Sequence, residues 1–107
     1  MNLADKTCIA CRKGAKPLAT DKAKALLKHL SRWSISEDGV WLLKAFKFKN
    51  FAQALAFANQ VGEIAEAQNH HPDIMLGWGY VNVRLQTHAA GGLHENDFIV
   101  AAKIDAL

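Results

Sequence analysis

Apolar residues recur at helical spacing in some stretches of this chain and at alternate positions in others. From Thr20 to Trp33, TDKAKALLKHLSRW puts Ala23, Leu26, Leu27 and Leu30 on one stripe, which predicts a helix capped by Thr20. Trp33 to Ile35 predicts a short strand and SEDG (36–39) a turn. VWLLKAFKF predicts a second strand from about Val40 to Phe48, so that the two form a hairpin. Within it Lys44 falls in phase with Leu42, Phe46 and Phe48, where an apolar side chain belongs.

The next stretch, FAQALAFANQVGEIAEAQNH, predicts a long helix. Asn50 caps it, with Gln53 at the capping-box position. Phe51, Leu55, Ala58, Val61 and Ala65 run along one side, and Phe57 and Ile64 widen the stripe. Pro72 is expected to stop this helix, because the residue before a proline is pushed out of the α region. That leaves His70 in the last turn and His71 extended. PDIML then predicts a short strand, LGWGY a glycine-punctuated connection, and YVNVRLQTH a strand. Its two faces are Val81, Val83, Leu85 and Thr87 against Tyr80, Asn82, Arg84, Gln86 and His88. After the loop AAGG, a last helix is expected from Glu95 to Asp105, bracketed at its start by His94 and Asp97. His94 stands where serine or threonine is the preferred cap.

Residues 1–19, broken by Gly14 and Pro17, read as an irregular leader, and residues 20–107 as a single domain. The order α-β-β-α-β-β-α is satisfied by an α+β fold, a four-stranded antiparallel sheet with three helices packed on one face.

Composition narrows the class without naming a chemistry. At 107 residues, half of them apolar, the chain can bury one modest core. No apolar run approaches the roughly 20 residues of a membrane span, and MNLADKTCIACRKG is too polar for a secretory signal. A cytoplasmic protein is expected. The formal charge is +3, with Lys6, Arg12, Lys13, Lys16, Lys22, Lys24, Lys28 and Arg32 crowded into the first third. Such a bias can attract phosphates or nucleic acid. Here it reads as a solvated helix face and a basic leader rather than a nucleic-acid site. Cys8 and Cys11 form one CxxC with no second pair to complete a zinc site and no strand before them for a redox motif, so two reduced thiols are expected.

The candidate chemistry lies in histidines. Glu66 and His70 are one helical turn apart and so neighbours, and His70 lies near a helix C-terminus, where the dipole favours imidazolium. His88 ends a strand beside a glycine-rich loop. If strand end and helix end meet, Glu66, His70, His71 and His88 gather in one place. Spacing alone leaves three readings open: a helix cap beside a solvated histidine, acid–base chemistry near neutral pH, or a three-histidine zinc site.

The strings EAQNHHPD, WGYVNVRLQTH and GGLHENDFIVAAKID together resemble the pterin-4a-carbinolamine dehydratase family. The matching pattern is Glu66, His70, His71, Pro72, Tyr80, Thr87, His88 and Asp97, and the hairpin residues Trp33, Phe46, Phe48 and Phe51 also agree. The CxxCRKGAKPL leader is similar to that of bacterial members. Resemblance implies dehydration of 4a-hydroxytetrahydropterin in tetrahydropterin recycling, with no metal and no cofactor. It implies that His70, His71 and His88 line the pterin site, with His71 and His88 as acid and base and His70 binding and polarising the ring. Glu66 would orient that ring or meet the substrate, and Pro72, Asp73 and Thr87 would contact it. A homodimer or homotetramer is implied, paired through an exposed sheet edge. Animal members also serve as dimerisation cofactors of a homeodomain transcription factor, and a role in molybdenum-cofactor metabolism is a further alternative. The chain departs from the family at Asn69, Ile74 and His94, none of them among the implied catalytic residues.

Overall fold

The computed structural model describes residues 2–10 and 14–107; Cys11, and with it the CxxC motif as a pair, lies outside the described residues. Among these residues the helices are α1 (Thr20–Leu27), α2 (Phe51–Gln68) and α3 (Glu95–Asp105). The strands are β1 (Ser34–Ile35), β2 (Leu42–Lys47), β3 (Asp73–Gly77) and β4 (Tyr80–Leu85). They follow the expected order and form one antiparallel sheet, arranged β1-β2-β4-β3. The centre of the sheet is β2 against β4, in register from Leu42↔Leu85 to Lys47↔Tyr80, so β1 and β3 are its edges. α2 packs over β3 and β4.

Alternation along β4 survives into the structure. Val81, Val83, Leu85 and Thr87 are buried, whereas Asn82, Arg84 and His88 are exposed. Above the buried face lies α3, whose Phe98, Ile99, Val100, Ala101 and Ile104 are all shielded. A helix apolar on nearly every side belongs inside a protein. α3 is enclosed by α1, by α2 and by a turn of 3-10 helix in the leader, Leu3–Asp5, whose Leu3 joins the core.

Several expectations need correction. α1 stops at Leu27, well short of Trp33, and its N-cap is Ala19 with no side-chain bond; Thr20 is already helical. The chain then turns through Arg32, which holds φ at 63°. Trp33 precedes the strand and is buried. On α2 the core-facing residues are Ala54, Val61 and Ala65, with Phe57, Ala58 and Ile64 partly covered. Phe51 and Leu55 are left 44% and 41% exposed.

The out-of-place Lys44 also has a physical account. It does face the helices, and its ammonium meets Asp105 at 2.8 Å and lies 4.7 Å from the centre of the Phe46 ring. Asp105 accepts further bonds from the Trp33 indole and the Ser31 N–H, both at 2.9 Å. A charge is tolerated near a core when paired and hydrogen-bonded. In the β1–β2 turn, Asp38 accepts from the Ser36 hydroxyl and the Val40 N–H, and these bonds hold its carboxyl below the usual aspartate value. Between β3 and β4, Trp78 and Gly79 make the turn, and the Tyr80 ring lies where a Cβ on Gly77 would stand, 2.3 Å from its carbons.

Candidate active site

α2 ends before Pro72 can act on it. Asn69 takes the left-handed conformation (φ 50°, ψ 41°), its N–H donates to the Ala65 and Glu66 carbonyls, and the His70 N–H donates to Ala65 O at 3.1 Å. This closure satisfies carbonyls that a helix end leaves open, and asparagine is among the few residues besides glycine that adopt it readily. The expectation that Pro72 terminates the helix with His70 in its last turn is therefore corrected: both histidines lie beyond the helix.

Partners change as a result. His70 turns away from Glu66 and reaches α3, where its Nε2 lies 2.6 Å from Asp97 Oδ1. Glu66 pairs instead with His71, through Oε2 and Nε2. The two contacts differ in setting. Asp97 is fully buried and the His70 side chain 12% exposed, whereas His71 and Glu66 are 53% and 79% exposed.

Asp97 is held by more than His70. Its Oδ2 accepts from the Thr87 hydroxyl at 2.8 Å and from the His94 N–H at 2.9 Å. His94 in turn accepts the Asn96 N–H on Nδ1 at 3.1 Å, so this unusual residue does cap α3. Opposite an ionised carboxylate, which can only accept, the His70 Nε2–H is the donor, and in a neutral ring the lone pair then lies on Nδ1. Fixing one ring nitrogen in this way selects the tautomer presented by the other.

β4 ends at Leu85. Thr87 bridges to Gly92, and His88 opens a 3-10 turn, His88–Ala90, rather than closing the strand. That turn brings His88 to the same cavity as His70, His71 and Thr87, a cavity of about 370 Å³ whose other walls include Ile9 and Asn96. A larger hollow of about 830 Å³ lies elsewhere, on the open face of the sheet. Pro72 and Asp73 line that one, and Asp73 is bound to Arg84 at 3.0 Å. Pro72 and Asp73, the implied substrate contacts, thus border the hollow on the sheet, where β3 begins at Asp73, and are not among the residues lining the histidine cavity. The histidine cavity is the smaller hollow but the one with convergent acid–base groups.

Among the described residues no three His, Cys, Asp or Glu side chains come together as a metal site. The Nε2 atoms of His70 and His71 are paired with Asp97 and Glu66. Sequence reasoning placed Asp97 in a pattern but missed its role as partner of His70. The available signal was an Asn-Asp pair opening an otherwise apolar helix, because buried polar residues require partners. Nothing in the sequence pointed to Ile9 or Ala10.

Comparison with known proteins identifies the family. The profile of the family described as pterin 4 alpha carbinolamine dehydratase matches residues 16–107. A Halorhodospira halophila protein bearing that family's name is 52% identical over 107 residues, covering 100% of this chain and 98% of the relative. One from Methylococcus capsulatus is 50% identical over 106 residues, covering 99% and 93%. Among solved structures, a transcriptional coactivator/pterin dehydratase from Brucella melitensis superposes with a TM-score of 0.80 at 31% identity, covering 85% of this chain and 97% of that one. A pterin dehydratase-like RuBisCO assembly factor of the alpha-carboxysome gives 0.61 at 30% identity, covering 71% and 88%. With a family match across most of its length and close relatives along all of it, the chain belongs to the pterin-4a-carbinolamine dehydratase family.

Proposed function

We propose that this protein dehydrates a 4a-hydroxytetrahydropterin to the quinonoid dihydropterin, in tetrahydropterin recycling, by histidine acid–base catalysis. The observation that carries this reading is the buried Asp97–His70 pair opening onto a cavity shared with His71 and His88. In the reaction the C4a–O bond breaks and the hydroxyl takes a proton, leaving as water. The N5–H bond gives its electrons to a new C4a=N5 double bond and its proton to a base. Nothing is oxidised or reduced.

Two proton transfers on one small ring need two groups of suitable pKa and one fixed contact. His71 and His88 are exposed enough to exchange protons with solvent, and they serve as acid and base. His70, held in one tautomer by Asp97, binds the ring and polarises it. Such transfers typically contribute about a hundred- to ten-thousand-fold each.

The test is stopped-flow absorbance of freshly generated 4a-hydroxytetrahydropterin with wild type, His71→Ala and His88→Ala. Acceleration by wild type that falls at least about a hundredfold in either variant supports the reading. Decay at the uncatalysed rate in the presence of folded wild type would sink it. We further propose that copies associate as a homodimer or homotetramer. The unpaired edge of β3 and the exposed Phe51 and Leu55 favour it, and sedimentation equilibrium would test it.

A further inference from the structure

The leader does more than close the core. Residues 8–10 run as a strap from the end of α2 to the start of α3. The Cys8 N–H donates to Gln68 Oε1 at 2.9 Å. The Ile9 N–H donates to Asn96 Oδ1 at 3.1 Å, and the Asn96 amide returns a bond to Ile9 O at 2.6 Å. A primary amide has one donor side and one acceptor side, so it can grip a peptide as a neighbouring strand would. Asn96 is only 2% exposed, and it directs both groups to the strap. Upstream, Lys6 pairs with Glu95 at 3.1 Å, Lys103 donates to Ala4 O at 2.7 Å, and Leu3 is buried.

These anchors adjoin the chemistry. Gln68 is the last residue of α2, two before His70, and Asn96 precedes Asp97, the partner of His70. Ile9 and Ala10 line the same cavity as the three histidines. Ile9 is nevertheless 67% exposed, an apolar side chain left on the surface beside a polar cavity. Neither its burial nor the core accounts for it. The strap also lies before the stretch matched by the family, which begins at residue 16.

We infer that residues 8–10 are a wall of the active site: Ile9 and Ala10 contact the bound pterin, and Asn96 is the positioning residue that holds them there. This rests on the dehydratase reading above. An apolar wall in a cavity shared with polar histidines would cover one face of the pterin ring and leave its polar edge to the imidazoles. The strap thus contributes to binding in both ground and transition states, and its loss raises KM without removing the acid or the base.

The experiment measures steady-state dehydration and binding of 7,8-dihydrobiopterin, an unreactive probe, to the full chain. The variants are Ala10→Trp, which fills the cavity from an exposed position, and Asn96→Ala, which frees the strap. Both are expected to raise KM and the probe's Kd about tenfold or more, with kcat within about threefold of wild type. Thermal unfolding of Ala10→Trp should match wild type, so that a folding defect in Asn96→Ala does not decide the outcome. Values of KM and Kd within twofold of wild type in Ala10→Trp would overturn the strap while leaving the dehydratase intact. A wild type that neither dehydrates nor binds would remove the parent reading and the strap with it.

Discussion

Two histidines adjacent in sequence each hold a carboxylate, and the two pairs have opposite characters. His70 meets Asp97 inside the protein, with Thr87 and the His94 N–H completing the carboxylate's shell. His71 meets Glu66 near the surface, with more than half of each side chain open to water. Burial strengthens an electrostatic contact and fixes its geometry, whereas exposure weakens it and permits exchange. One left-handed residue, Asn69, divides them by turning the chain between Glu66 and His70. In the proposed mechanism the buried pair orients and the open pair exchanges protons.

The sharpest way to break this division is Asp97→Asn. Its oxygen can still accept from Thr87 and His94, but the group facing His70 becomes an amide donor. The imidazole must then accept on Nε2 and carry its proton on Nδ1. A correctly folded variant with the wrong tautomer should lose about a hundredfold or more in kcat; rates near wild type would show that the tautomer is not used. Glu66→Gln is the counterpart at the open pair. It should cost about tenfold or less in kcat/KM and about 0.5 kcal/mol or less in stability, measured by kinetics and urea unfolding. An effect as large as that of Asp97→Asn would erase the distinction.

Asn69→Ala probes the divider itself. Forcing alanine into the left-handed region should cost about 1 kcal/mol, and Asn69→Gly should cost less. Equal stability of all three in urea would mean that the turn is not set by residue 69. Asp38 marks the weak limit of the scale, an exposed carboxylate with local bonds only. Its carboxyl is held low when folded, by the Ser36 hydroxyl and then the Val40 N–H. Its stabilisation is therefore present above the usual aspartate value and lost as pH falls through the folded value. The melting difference between wild type and Asp38→Asn should be seen at neutral pH and close in acid; a gap constant down to low pH would exclude ionisation as its source.

Much of this architecture was legible because periodicity reports which face is buried. The alternation of Val81, Val83 and Leu85 marked the inner face of β4. Phe51 and Leu55 misled for the same reason in reverse: helical spacing identifies a stripe, but only packing decides how far it extends. The gathering of the three histidines followed from topology, yet their partners did not. A helix that ends at Asn69 rather than Pro72 rotates every side chain after it, and residue spacing carries no record of a single positive φ. Lys44 was likewise unreadable, because its answer, Asp105, lies 61 residues away.

The leader has a consequence in time. Its bonds join Ala4, Lys6 and Ile9 to Lys103, Glu95 and Asn96, across separations of 99, 89 and 87 residues. Chains emerge from the ribosome N-terminus first. Residues 4–9 are made before α3 and must therefore wait for it, and contacts between distant segments are slow to form. The cavity cannot gain its leader wall until α3 has emerged. A nascent chain paused before that point would carry His70, His71 and His88 without an enclosed site around them.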